Sequence, residues 1–140
     1  METATAELTV SIYSPEKKLL EEPAVSVGLP GKKGSFTVLR GHANLVAELE
    51  AGVVHVQTGS RDEIYVVDSG FAEVKGNQVI VLVEGATDPK ELKLETEQAA
   101  LEEALNRQVE NPVQYARKQH DIALRRVRAR VAASAVSNSN

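Results

Sequence analysis

The residues best able to move a proton near neutral pH are His42, His55 and His120, and they are scattered along the chain. None stands at metal-ligand spacing from another histidine or from a pair of carboxylates, and neither a Gly-x-Ser-x-Gly elbow nor a phosphate loop occurs. There is no cysteine, which excludes disulfides, thiolate metal sites and cysteine nucleophiles. An independent active site is therefore not expected. His42 has the chemistry of a general base, but no nucleophile lies near it in sequence. The stronger reading is a turn residue that hydrogen-bonds locally or meets a partner protein.

Charge offers a second kind of chemistry. Arg125, Arg126, Arg128 and Arg130 form a tight cationic cluster. A solvated helical face explains such a run without any function. A nucleic-acid site calls for a basic chain and interleaved aromatics, yet the net charge is −4 and only Tyr115 lies near. Nucleic acid is thus not the expected partner. Docking onto an acidic protein surface fits better, because a cationic helix is steered towards carboxylates without base-reading groups. The preceding segment is complementary: seven carboxylates lie between Asp88 and Glu110 against three basic residues, whereas the following segment carries six basic residues against Asp121 alone.

The elements that must carry these groups divide the chain in two. From residue 8 to 83 the sequence reads as short strands: Leu8 to Tyr13, Val25 to Val27, Ser35 to Leu39, Val53 to Val56, Ile64 to Val67, Phe71 to Val74 and Val79 to Val83. Leu8, Val10 and Ile12 alternate with Thr9, Ser11 and Tyr13, as one buried face requires. Lys75 to Gln78 reads as a hairpin turn. Close turns without intervening helices predict an antiparallel β-sandwich or flattened barrel over residues 1–87. A corner forms where Phe36 and Val38 meet Leu45 and Val46 across Gly41, His42 and Asn44, all four apolar residues being suited to a buried face.

A helical hairpin is predicted over 88–133, so the whole is an α+β chain of two domains. Asp88, Pro89 and Glu91 make a capping box, and Thr96 offers an alternative start. Leu101, Ala104, Leu105 and Val109 recur at helical spacing until Asn111-Pro112 breaks the run, and Ala116, Ala123, Leu124, Val127 and Val131 form the second stripe. Residues 134–140 have nothing to bury and are expected to be a disordered tail. No apolar run approaches the ~20 residues that span a bilayer, and the start lacks the pattern of a secretory or transit leader. A bacterial or organelle-encoded product, or a mature form, is expected.

Pro30-Gly31, Gly34, Phe36, Val38-Leu39, Gly41-His42-Ala43, Leu45 and Gly52-Val53-Val54 resemble the N-terminal domain of the epsilon subunit of F-type rotary ATP synthases. Asp68 to Val74 and Val79 to Val83 resemble its later strands, and Ala123 to Val131 the end of its hairpin. The Gly-Phe-Ala and Ala-Leu-Arg-Arg-x-Arg-x-Arg segments are most similar to the cyanobacterial and plastid branch; the equivalent mitochondrial subunit is called delta. The resemblance implies a non-catalytic central-stalk subunit of a proton-translocating synthase. Its partners would be the gamma subunit, the c ring and, through an extended hairpin that brakes ATP hydrolysis, the alpha/beta head. The implied location is peripheral, on the cytoplasmic or stromal face of a plasma or thylakoid membrane, reached only through the complex. Ser35, Arg40, His42, Asn44, Arg125 and Arg128 are the implied partner interface. Arg40 and Asn44 replace two prolines usual at the corner, which predicts a less stiff loop. Some bacterial members bind ATP through Ile/Leu-Asp-x-x-Arg-Ala and two arginines. Here the first part reads Leu94 to Ala99, with Glu95 for the aspartate and Gln98 for the arginine, while Arg126 and Arg130 match the pair. One guanidinium fewer removes ~1.5 to 3 kcal/mol, so ATP, if a regulator at all, is expected to bind weakly. An ATP-sensing module and, less favoured, a nucleic-acid binder are the rival readings.

Overall fold

A computed structural model of the chain describes residues 7–138 and divides into two compact units, 1–86 and 87–140. In the first, two five-stranded sheets form a β-sandwich. One has the order β2-β1-β9-β8-β5, from β1 (Leu8–Tyr13), β2 (Lys18–Ala24), β5 (Leu45–Leu49), β8 (Gly70–Lys75) and β9 (Gln78–Val83). The other has the order β10-β7-β6-β3-β4, from β3 (Ser26–Leu29), β4 (Phe36–Leu39), β6 (Gly52–Gln57), β7 (Asp62–Val67) and the two-residue β10 (Ala86–Thr87).

The pleat sets the core. Leu8, Val10 and Ile12 of β1 and Val79 and Val81 of β9 are completely buried, meeting Val27, Val38, Val54 and Val56 of the facing sheet. Strand pairs β1–β2, β3–β4, β3–β6, β5–β8, β6–β7 and β8–β9 are antiparallel, whereas β1 runs parallel to β9, with Val10 opposite Val79 and Ile12 opposite Val81. Alternation carries no direction, so the sequence does not distinguish that pair from an antiparallel one. Strand β2 was not expected from its sequence, because Glu21, Glu22 and Pro23 obscure its apolar signal. It lies at a sheet edge, where proline costs no ladder bond and charge discourages further pairing.

The second unit holds a 3₁₀ turn (Pro89–Glu91), α1 (Leu94–Leu105) and α2 (Pro112–Asn138). Asp88 does cap, accepting from the Lys90 amide at 2.9 Å, but it starts only the 3₁₀ turn, and α1 begins at Leu94. Val109 falls in the connection and not on α1, and Pro112 opens α2 instead of breaking a helix. Asn111 is the cap there: its Oδ1 accepts from the Gln114 amide at 2.8 Å, and proline at the first helical position loses no bond it would have made.

Helix α2 continues through residues 134–138, where a disordered tail is predicted; Ser139 and Asn140 lie outside the described residues. Alanine and serine extend an already nucleated helix at little cost, even with nothing to bury. The buried face of α2 is also displaced from the predicted stripe. Ile122, Val127 and Ala132 are buried and Leu124 and Val131 half-buried, whereas Ala116 and Ala123 face solvent.

Candidate functional site

The corner of the sandwich is a type II turn. The His42 amide donates to the Leu39 carbonyl at 3.0 Å, and Gly41, at φ +85°, takes the third position that requires a left-handed residue. Arg40 stands exposed on this turn and Ser35 exposed just before β4. The His42 ring is half-buried, donates from Nδ1 to the Ala43 carbonyl at 2.7 Å, and lies 6.4 Å from the Phe36 ring. Asn44 is not a free loop residue. Its Oδ1 accepts from the Gly76 amide at 2.9 Å, while Asn77 Oδ1 accepts from the Gly41 amide at 3.1 Å. This reciprocal clasp ties the corner to the β8–β9 turn. The asparagine that replaces proline thus gives the loop a hydrogen bond in place of a ring.

Phe36 and Leu45 are half-buried against the core and Val38 fully buried, but Val46 is 71% exposed. Successive residues of a strand point to opposite faces, so Leu45 and Val46 cannot both turn inward. Outward-facing Val46 belongs to a surface that sequence reasoning missed. Along the outer face of its sheet, Tyr13, Leu82 and Phe71 stand side by side in register, and Val46 lies diagonal to Phe71. Phe71 is 54% and Leu82 52% exposed. The signal was present, because Phe71 is out of phase with buried Ala72 and Val74. Val46 also borders an open groove of about 700 Å³ between β5 and the loop before β4, with Phe36, Leu45 and Ala47 apolar and Lys32, Lys33 and Glu48 charged. Lys32 pairs with Glu48 at 3.3 Å, which leaves Lys33 as the cation on that rim without a pair among the described residues.

In the second unit the arginines separate into two sets. Arg128 grips Glu97 with Nε to Oε1 at 2.8 Å and Nη2 to Oε2 at 3.2 Å, and its Nη1 donates to Thr87 Oγ1 at 3.0 Å. Arg125 Nη1 lies 3.7 Å from Glu97, and its Nε donates to Asp121 at 3.2 Å. Arg107 joins Asp121 to Glu103, at 2.8 and 2.7 Å. That hydrogen bond to Arg107 holds the Glu103 carboxyl below the ordinary 4.5, and hydrogen bonds to Glu103 and then Asp121 push the Arg107 guanidinium up. Arg126 and Arg130 are exposed and make no ion pair among the described residues. Glu95 and Gln98 are exposed on α1 as well. Arg125 and Arg128, both read as partner residues, are thus engaged inside the hairpin.

Residues 7–89 match the family model of the ATP synthase Delta/Epsilon chain, beta-sandwich domain. The chain belongs to this family. Over 132 residues it is 37% identical to the ATP synthase epsilon chain of Nostoc punctiforme, spanning 91% of this chain and 96% of the relative. The epsilon chain of Leptospira interrogans is 36% identical over 97 residues, which covers 69% of this chain and 76% of the relative. The fold is shared with a chain of the Euglena gracilis mitochondrial ATP synthase, in its OSCP/F1/c-ring structure, at a TM-score of 0.79 and 23% identity over 87% of this chain and 79% of that one. The chain is accordingly an epsilon-type, non-catalytic stalk subunit. Among its described residues no helix is long and apolar enough to cross a membrane, and no group of histidines and carboxylates could hold a metal ion.

Proposed function

We propose that the sandwich seats this subunit on the rotor of a proton-translocating ATP synthase, with gamma and the c ring as its partners. The observation that carries this reading is the exposed row of Leu82 and Phe71 with Val46 beside it. Large apolar side chains gathered on one sheet face leave surface that water disfavours, at ~25 cal/mol per Å², until a partner covers it. The groove beside Val46 and the corner carrying Ser35, Arg40 and His42 continue that surface towards a second partner. In cells the protein would then lie peripherally, on the cytoplasmic or stromal face of a plasma or thylakoid membrane. The test is Phe71→Glu with Leu82→Glu: retention by gamma is expected to fall by two decades or more while circular dichroism stays unchanged. Undiminished retention with the fold intact removes this face from the interface.

The hairpin is proposed to regulate ATP hydrolysis by extending towards the acidic surface of the alpha/beta head. Arg126 and Arg130, exposed and in no ion pair among the described residues, support it, being cations able to meet carboxylates. The same two residues with Glu95 are the proposed nucleotide contacts. Gln98 lacks the positive charge and the bidentate fork of an arginine, so ATP is expected to bind weakly and to serve as a minor regulator.

A further inference from the structure

Strand β5 ends its sheet, and its two sides are used differently. On one side it pairs with β8, Ala47 standing opposite Ala72 and Leu49 opposite Gly70. On the other, the Glu48 carbonyl accepts from the Lys32 amide at 2.8 Å and the Glu50 amide donates to the Pro30 carbonyl at 3.0 Å, bracketing a single bridge between Gly31 and Leu49. In a strand the amide and carbonyl of one residue point to the same side, and alternate residues share that side. Val46, two before Glu48, therefore turns its amide and carbonyl to the outer edge together with the Glu48 amide. None of these three groups has a partner among the described residues.

The beginning of a further strand is already in place there. Pro30 to Lys32 follow β5 for two bonds and then leave it at a turn, where the Gly34 amide donates to the Gly31 carbonyl at 3.0 Å and Gly34 takes φ +132°. The position opposite Val46 is thus vacated, and it opens on the groove of about 700 Å³, with Phe36, Leu45 and Ala47 half-buried along its wall. Charge and proline commonly protect an edge against added strands. The edge strand β2 at the far end of the same sheet carries Lys18, Glu21, Glu22 and Pro23, whereas Leu45 to Ala47 carry neither charge nor proline. Charge stands instead at the rim, where Lys33 has no ion pair among the described residues.

We propose that this edge is a β-augmentation site, at which an extended segment of a rotor partner continues the line of Pro30 to Lys32 along β5. Its backbone takes up the Val46 amide and carbonyl and the Glu48 amide. Alternate side chains point inward, where an apolar one closes on Phe36, Leu45 and Ala47, and a carboxylate on the segment meets Lys33. The source of the strand rests on the rotor reading above; the open edge is a property of this chain alone.

Hydrogen exchange tests it on the free subunit and on the rotor rebuilt with gamma and the c ring, read by NMR after the subunit is released under quench. In the free subunit the Val46 and Glu48 amides are expected to exchange at least about tenfold faster than those of Ala47 and Leu49, which face β8, and in the rotor to slow by about tenfold or more. Slow exchange of Val46 and Glu48 in the free subunit means that the edge is already paired and overturns the proposal. Val46→Pro removes an amide that faces away from β8, where an edge strand tolerates proline, and Val46→Thr keeps that amide with a similar shape. Retention on the rotor is expected to fall about tenfold for proline and little for threonine, with the core amides of Val10 and Val81 still protected. Equal retention of the two variants overturns the proposal. If the proline variant loses core protection, exchange in the unmodified subunit decides alone. A subunit held by the rotor with Val46 and Glu48 still fast refutes strand addition and leaves the rotor reading standing; one not held at all refutes both.

Discussion

Asn44 and Asn77 carry the sharpest expectation at the level of single residues. Each accepts one backbone amide at an exposed turn, so Asn44→Ala or Asn77→Ala should cost ~0.5 to 1.5 kcal/mol in denaturant unfolding, the net worth of a hydrogen bond at such a site. Amide exchange should accelerate at Gly76 in the first variant and at Gly41 in the second, while the amides of Val10 and Val81 in the core keep their protection. Equal exchange at both glycines would show that the clasp restrains nothing. Gln98 is the other residue with a clean test. Calorimetry of the unmodified chain should show no saturable ATP binding at micromolar concentration, and Gln98→Arg should strengthen whatever binding exists, because guanidinium supplies the missing fork. The residue types at the corner were legible in the sequence. Their partners were not, since Asn44 and Gly76 are far apart in sequence and meet only when β5 pairs with β8.

Among the elements, α2 owes its start to a local rule and its buried face to a distant one. Asn111→Ala removes the side-chain cap and should lower hairpin stability by ~1 kcal/mol in thermal or denaturant unfolding, with Asn111→Ser close to neutral. The Glu103–Arg107 pair predicts a pH effect of fixed sign. The folded Glu103 carboxyl lies below the ordinary 4.5, so its stabilisation is complete above 4.5 and is lost as pH falls through the lower folded value. Carboxyl NMR should place Glu103 below 4.5, and Arg107→Gln should return it towards 4.5. The strands with strict alternation were legible because one buried face leaves a period of two. Strand β2 was not, because its edge position permits charge and proline. The helical spacing of α1 and α2 was legible too, but the true face of α2 turns on Glu97. A buried carboxylate drags Arg125 and Arg128 inward, and no apolar pattern announces that.

For the whole molecule, the separation into two compact units bears directly on what the hairpin can be asked to do. The sandwich core is drawn from residues 8–83, so truncation after Pro112 removes none of it and should leave the β-domain folded by circular dichroism. If the hairpin brakes hydrolysis, the complex rebuilt with the truncated subunit should hydrolyse ATP faster than the one with the full chain while remaining coupled. Within the full chain the arginines should not be equivalent. Arg126→Gln with Arg130→Gln removes the outward charge and should reproduce part of the rise, more weakly at high salt where exposed charges are screened. Arg128→Gln instead leaves Glu97 buried without its fork, which disfavours the closed hairpin and so raises the population available to extend. That variant should therefore deepen inhibition, opposite in sign to the outward pair. ATPase rates of the reconstituted complex with the four subunits separate these cases. Equal rates throughout would mean that the hairpin does not regulate this synthase, and matching signs for Arg126/Arg130 and Arg128 would mean that the inward and outward arginines act through one surface.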